Sequence, residues 1–220
     1  MKKIYRKYDR RKESKMDTKK ITAGLSEYFD GLCATFKLLE KRQLAEMTQM
    51  VLKTQQAGKT VFTMGNGGHG NTAAHMINDF AKHTISSDTK DKVVAEKRFK
   101  TMCLNDSVSF VTGLGNDMGF DHIFSEQLKN WCVAGDVVIG ISGSGNSRNV
   151  LNAFEVAKQR GAKTICLSGR AGGQARDIAD LCVVVPSDKM VQIEDVHMAI
   201  SHAVADELKK AVQNRTTLTG

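Results

Sequence analysis

Five short apolar runs, separated by stretches of helical spacing, constrain this chain more than any other feature. The runs lie at about 60–65 (TVFTMG), 99–104 (FKTMCL), 136–142 (DVVIGIS), 163–168 (KTICLS) and 181–185 (LCVVV). Helical periodicity covers about 69–84, 116–130, 147–160 and 172–180 between them, and about 191–213 after the last. Strands without a polar face that alternate with helices form a parallel sheet covered on both sides. Right-handed crossovers then gather the loops that follow the strands at one carboxyl edge, where open α/β sheets bind ligands. Residues 85–98, polar and mixed in charge, read as a surface loop.

Ahead of this layer, residues 21–57 read as two helices. Leu25, Tyr28, Phe29, Leu32, Phe36, Leu38 and Leu39 keep helical spacing, and Leu44, Met47, Met50, Val51 and Leu52 continue it up to Gly58. Helices this apolar outside the main layer need a partner, and another subunit would serve. Residues 1–20 hold ten Lys and Arg against three acids, so they supply +7 of the net +8. They read as a basic, solvated, disordered tail ahead of a single domain at 21–213; the rest of the chain is close to neutral, and a nucleic-acid partner is not expected. No apolar run reaches membrane-spanning length, and no apolar segment follows the basic N-terminus. Four of the five cysteines (Cys33, Cys103, Cys132, Cys166, Cys182) lie in or beside apolar runs and none forms a C-x-x-C pair, which reads as reduced core thiols of a cytoplasmic protein. Trp131, the only tryptophan, is expected in the core.

Two loops at the carboxyl edge carry the chemistry. Ser142-Gly143-Ser144-Gly145-Asn146-Ser147 joins a buried strand to a helix. The first N–H groups of a helix have no partner of their own, glycines let the backbone approach closely, and three hydroxyls add uncharged donors, which together suit a phosphate. Serines serving a capped turn are the plainer alternative. Gly65-Asn66-Gly67-Gly68-His69-Gly70 meets the G-x-G-x-x-G spacing of dinucleotide sites. The acidic residue such sites need about 20 residues on, at the end of the next strand, is missing: that region is polar loop, and the next strand ends only at Asp106. A nicotinamide cofactor is therefore set aside.

Four blocks, Gly65-Asn66-Gly67-Gly68, Asn116-Asp117-x-Gly119-Phe120, Ser142 to Ser147, and Glu194-Asp195-Val196-His197, resemble the sugar isomerase (SIS) domain family, and within it the phosphoheptose isomerases. The resemblance spans about residues 21–210. It implies a flavodoxin- or Rossmann-like five-stranded parallel sheet flanked by helices, N-terminal helices that build a homotetramer, active sites between subunits, and a bound phosphosugar. It maps phosphate contacts onto Ser142, Gly143, Ser144 and Ser147, and sugar contacts onto Asn66, Gly67, Gly68, Asn105 and Asp106. The family's zinc-holding and proton-transferring residues fall on His75, Asp79, Glu194 and His202, with Asp79 as base, His202 as acid and Glu194 also at the substrate. This sequence departs from the family pattern at three of these places: Asp79 replaces Glu, Glu194 replaces Gln, and His69 replaces Ser.

Spacing bears on the metal set. His75 and Asp79, four apart on a helix, share a face and could hold one ion. Glu194 and His202 are eight apart, about 12 Å of helical rise, and meet one ion only if His202 leans back and Glu194 sits at the helix start. The N/O donor set suits zinc, with manganese and iron as alternatives. The expected activity is aldose–ketose isomerisation of a seven-carbon sugar 7-phosphate. The competing reading is a non-catalytic SIS module that binds a phosphosugar or a protein, like the family's tetrameric partner of the replication initiator DnaA.

Overall fold

The computed structural model describes residues 17–85 and 98–216. Residues 86–97, nearly all of the segment expected as a surface loop (85–98), and most of the basic tail lie outside the described residues. Helix α1 (Thr18–Leu38) starts inside the expected tail, with the Asp17 carboxylate accepting from the Lys19 amide as its cap. Helix α2 (Lys41–Gln56) follows, and Gly58, at φ 68°, lets the chain leave it.

All five apolar runs are strands: β1 (Thr60–Gly65), β2 (Lys100–Cys103), β3 (Val137–Ser142), β4 (Lys163–Gly169) and β5 (Leu181–Val185). They form one parallel sheet in the order β2-β1-β3-β4-β5. The sequence moves outward in both directions from the β1/β3 pair, so the loops after these two strands diverge and leave a crevice.

Alternation along the strands builds two cores. Val61, Ile139, Ile141, Ile165 and Leu167 face α2, α3 (Gly68–Asn78) and α8 (Met190–Thr216), with Met47, Val51, Met76, Phe80 and Val196 filling that side. Phe62, Met64, Val138 and Cys166 face the opposite way, toward α5 (Ser125–Trp131) and α6 (Arg148–Gln159). Each large apolar side chain removed from water contributes about 1.5–3 kcal/mol, and the two cores together fix the register of the sheet. Gly140 makes one close approach possible: a Cβ there would lie 2.6 Å from Val150 Cγ1 and 2.7 Å from Phe154 Cζ.

Three expectations need correction. The helix read over 116–130 is not one element but three. Gly119, at φ 92°, stops α4 (Val108–Asp117); a single 3-10 turn at Phe120–His122 follows, and α5 begins only at Ser125. The helix read over 172–180 is one turn, α7 (Ala175–Ile178), because Gly172 and Gly173 both take positive φ ahead of it. Trp131 ends α5 at 45% exposure rather than in the core. Cys103, Cys132, Cys166 and Cys182 are buried as free thiols and Cys33 is exposed. Among the described residues no helix is long and apolar enough to cross a membrane.

Gly140→Ala should lower stability by about 1–3 kcal/mol through overpacking against α6. Urea denaturation at fixed protein concentration, read as a shifted midpoint at constant slope, checks this.

Candidate active site at the β1/β3 crevice and the α3/α8 groove

The loop after β3 is tied from within. The Ser142 and Ser147 hydroxyls pair at 2.8 Å, and the Asn146 amide donates to Ser144 Oγ at 3.2 Å. Ser147 precedes α6 without capping it through its side chain, so its hydroxyl is committed to Ser142. The loop is then braced from outside by the Gly172-Gly173 turn that follows β4. A Cβ on Gly145 would stand 1.8 Å from the Gly172 carbonyl oxygen, and one on Gly173 would stand 2.4 Å from the Ser144 carbonyl oxygen. Gly145 also takes φ 67°, so glycine is required there twice over.

The loop after β1 is held to this one by an exchange of side-chain amides. Asn66 Nδ2 donates to Asn149 Oδ1 at 3.0 Å, and Asn149 Nδ2 donates back to Asn66 Oδ1 at 2.9 Å. Asn149 Oδ1 also accepts from the Val150 amide at 2.9 Å. Asn105 clamps the same loop from β2: it accepts from the Gly65 amide at 3.1 Å and donates to the Gly65 carbonyl at 2.8 Å. Asp106 is exposed beside it. Gly67, at φ 55°, leads into α3, and neither it nor Ser147 ahead of α6 caps its helix through a side chain.

His75, Asp79 and His202 converge. Helices α3 and α8 lie side by side in the same direction, since Glu194 meets Gly68, His202 meets His75, and Asp206 meets His83. His75 Nε2 is 2.9 Å from His202 Nε2 and 3.2 Å from Asp79 Oδ2, and His202 Nε2 is 3.8 Å from the same oxygen. All three ligand atoms lie within 4.8 Å of one another. Asp79 opens a π turn, Asp79–His83, that widens the helix where it crosses α8, a distortion often found at functional sites. An open cleft of about 490 Å³ lies over this point, lined by Asp79, His83, His202 and Asp206. His83 Nε2 donates to Asp206 Oδ1 at 2.9 Å, and this bond holds the Asp206 carboxyl below its usual range.

Two ring nitrogens and a carboxylate oxygen aimed at one point form a set of donors that fits a divalent ion, with a side left open to the cleft. Among the described residues the set closes at three, and Glu194, expected as a fourth ligand, stands outside it. Helix α8 is already regular at Met190, so Glu194 and His202 are separated by more than two full turns. The Glu194 carboxylate lies instead at the start of α3, 3.0 Å from the position of a Cβ on Gly68, beside the glycine loop.

Two contributors, Asn149 and the Gly172-Gly173 turn, had no signal in the sequence. Asn149 sits inside a helical run and would pass as a surface residue. The Gly172-Gly173 turn reads as the start of a helix. His197 is fully buried, with Nε2 at 3.1 Å from the Ser168 carbonyl oxygen and its ring 5.1 Å from that of His69. Burial, then the neighbouring His69, pushes the His197 imidazole down to about 3, against a smaller opposing effect of the Ser168 carbonyl. Burial also lowers His69, while Glu194 pulls it back up in part.

Asn149→Ala should destabilise the protein by about 1–3 kcal/mol, because it strands the half-buried Asn66 amide and removes one acceptor from the Val150 amide. Ligand affinity should fall with it, since both loops lose their shared tie; thermal melting and calorimetric titration of a phosphosugar check the two effects.

Comparison with known proteins places this geometry. The SIS domain pattern matches residues 27–169. The phosphoheptose isomerase of Geobacter sulfurreducens is 38% identical over 169 residues, covering 76% of this chain and 85% of that protein. Among solved structures, phosphoheptose isomerase GmhA from Neisseria gonorrhoeae superposes with a TM-score of 0.76 at 28% identity, covering 87% of this chain and 98% of that one. A phosphoheptose isomerase from Francisella tularensis gives 0.78 at 25% identity, covering 89% and 99%. With a switch-point crevice between two glycine loops and a match running through both, the chain belongs to the SIS domain family.

Proposed function

We propose that this protein is a phosphoheptose isomerase, interconverting sedoheptulose 7-phosphate and an aldoheptose 7-phosphate. The observation that carries the proposal is the convergence of His75, Asp79 and His202 on a single point, where α3, which begins at the first glycine loop, runs beside α8. His75 follows Gly68 by seven residues, roughly 10 Å along α3. A sugar whose phosphate is seated at the loops would thus extend its carbonyl end toward the triad, and a seven-carbon chain is long enough to span that distance.

The reaction moves one proton between neighbouring carbons. Asp79 takes the proton from C1 of the open-chain ketose, and the electron pair left behind forms the enediol with C2. His202 protonates the oxygen at C2 as its double bond is lost; Asp79 then returns its proton to C2 as the O1 proton passes back to His202, which completes the aldose and restores both residues. Asp79 lies against His75 as well as His202, so its carboxylate is oriented from both helices. Asn66, Gly67, Gly68, Asn105, Asp106 and Glu194 line the sugar's path, and Ser142, Gly143, Ser144 and Ser147 hold the phosphate. His75, Asp79 and His202 would hold zinc, which when bound supplies Lewis-acid polarisation of the carbonyl oxygen.

The working form is proposed to be a homotetramer with active sites between subunits. Helix α1 buries only Thr35 and leaves Leu25, Phe29 and Leu38 more than half exposed, while α4 buries no residue and presents Val108 and Phe110. Apolar faces of this kind are covered in large obligate interfaces.

His202→Ala and Asp79→Asn should each lower turnover by about 10²–10⁴-fold with phosphosugar affinity largely kept, and Asp79→Glu should retain more activity than Asp79→Asn. Elemental analysis should find zinc in the wild type and little in His75→Ala. Wild-type protein that is metal-loaded and inert toward heptose, hexose and pentose phosphates would favour the binding-module reading instead.

Light scattering should return a tetramer for the wild type and a smaller species for the double variant Leu25→Asp, Phe29→Asp. A monomeric wild type at micromolar concentration would reject the shared site.

A further inference from the structure

His69 is used by no step above, yet its placement is specific. It lies in the first turn of α3 and is only 7% exposed, and its Nε2 is buried with no hydrogen-bond partner. Leaving such a group unpaired is costly, so an orphaned nitrogen beside a ligand loop points to a partner that arrives with the ligand. The ring edge faces the loop after β3: Cε1, which sits between the two nitrogens, is 2.9 Å from the position of a Cβ on Gly143.

The surroundings of the ring favour a neutral imidazole that donates. His197 lies on its other side, and because a carbonyl only accepts, the His197 proton is on Nε2, toward Ser168. His197 Nδ1 is itself buried without a partner, so the two rings do not bond to each other. Besides His197, the charged group that faces His69 is Glu194, also from α8. The loop from Ser142 to Ser147 contains no Lys or Arg, so a phosphate held there depends on uncharged donors, and each one counts.

We infer that His69 is a phosphate-binding residue of this chain, its Nε2–H donating to the phosphate group seated on the Ser142–Ser147 loop. The inference rests on the assignment of that loop to phosphate. His197, anchored on Ser168, packs the ring in place and acts as a positioning residue.

The test is calorimetric titration of the purified full-length protein with sedoheptulose 7-phosphate, inorganic phosphate and unphosphorylated sedoheptulose. His69→Ala should weaken both phosphate-bearing probes by about tenfold or more, with unphosphorylated sugar unaffected. In the isomerase assay it should raise KM by a similar factor with kcat changed far less. His69→Gln, which restores an N–H donor at similar reach, should recover most of the affinity. A folded His69→Ala that binds the phosphate-bearing probes within twofold of wild type would overturn the inference. So would a folded His69→Gln no better than His69→Ala, or a loss of affinity equal for sugars with and without phosphate. Wild-type protein that does not distinguish phosphorylated from unphosphorylated sugar would overturn the loop assignment itself, and this inference with it.

Discussion

The site depends on the parallel pairing of β1 with β3. Val61 lies opposite Val137 and Gly65 opposite Ile141, so the two strands end together and release their loops side by side. Because the sheet grows outward from this pair, the two helices that follow fall on opposite faces, and nothing fills the gap between their first turns. The reciprocal Asn66–Asn149 amide bonds then fix the width of that gap. A slip of one residue in this pairing would turn the inward side chains outward and pull the loops out of line.

Strands were the most legible part of the sequence. Each is a short apolar run bounded by polar or glycine positions, and in β1, β3 and β4 burial on both faces leaves no ambiguity of period. Helices were less legible where tertiary packing decides them. The run at 108–117 contains Gly113 and Gly115 and several β-branched residues, and α4 buries none of its side chains, so no apolar stripe announces it. The break at Gly119 is visible only as a positive φ, which composition alone does not reveal. Trp131 misleads because size argues for burial while its place at the last position of α5 leaves it outside the core.

The candidate site was legible to the extent that its residues lie close in sequence or in recognisable blocks. His75 and Asp79 share a helical face by spacing alone. That His202, and not Glu194, completes the cluster follows from α8 being regular from Met190, one residue from the start that the periodicity gives, which leaves Glu194 inside the helix rather than at its start. The π turn at Asp79–His83 was also hidden, and it matters because the widened turn carries both Asp79 and His83 toward α8. Asn105, mapped as a sugar contact, is in this structure a clamp on the Gly65 backbone, so its contribution to a ligand would run through the shape of the loop.

Three helices, α3, α6 and α8, begin at the same place: Gly68 and Ser147 flank the crevice, and Met190 Sδ packs 2.5 Å from the position of a Cβ on Gly143. Each N-terminus carries a partial positive charge of roughly half a unit, made by peptide dipoles rather than by an ammonium or guanidinium group. Such a field has no proton to lose and no flexible arm to swing away. The attraction it exerts on an anion is thus built into the backbone, present at any pH at which the fold survives and in any subunit that folds, whatever the surface charge of the rest of the chain.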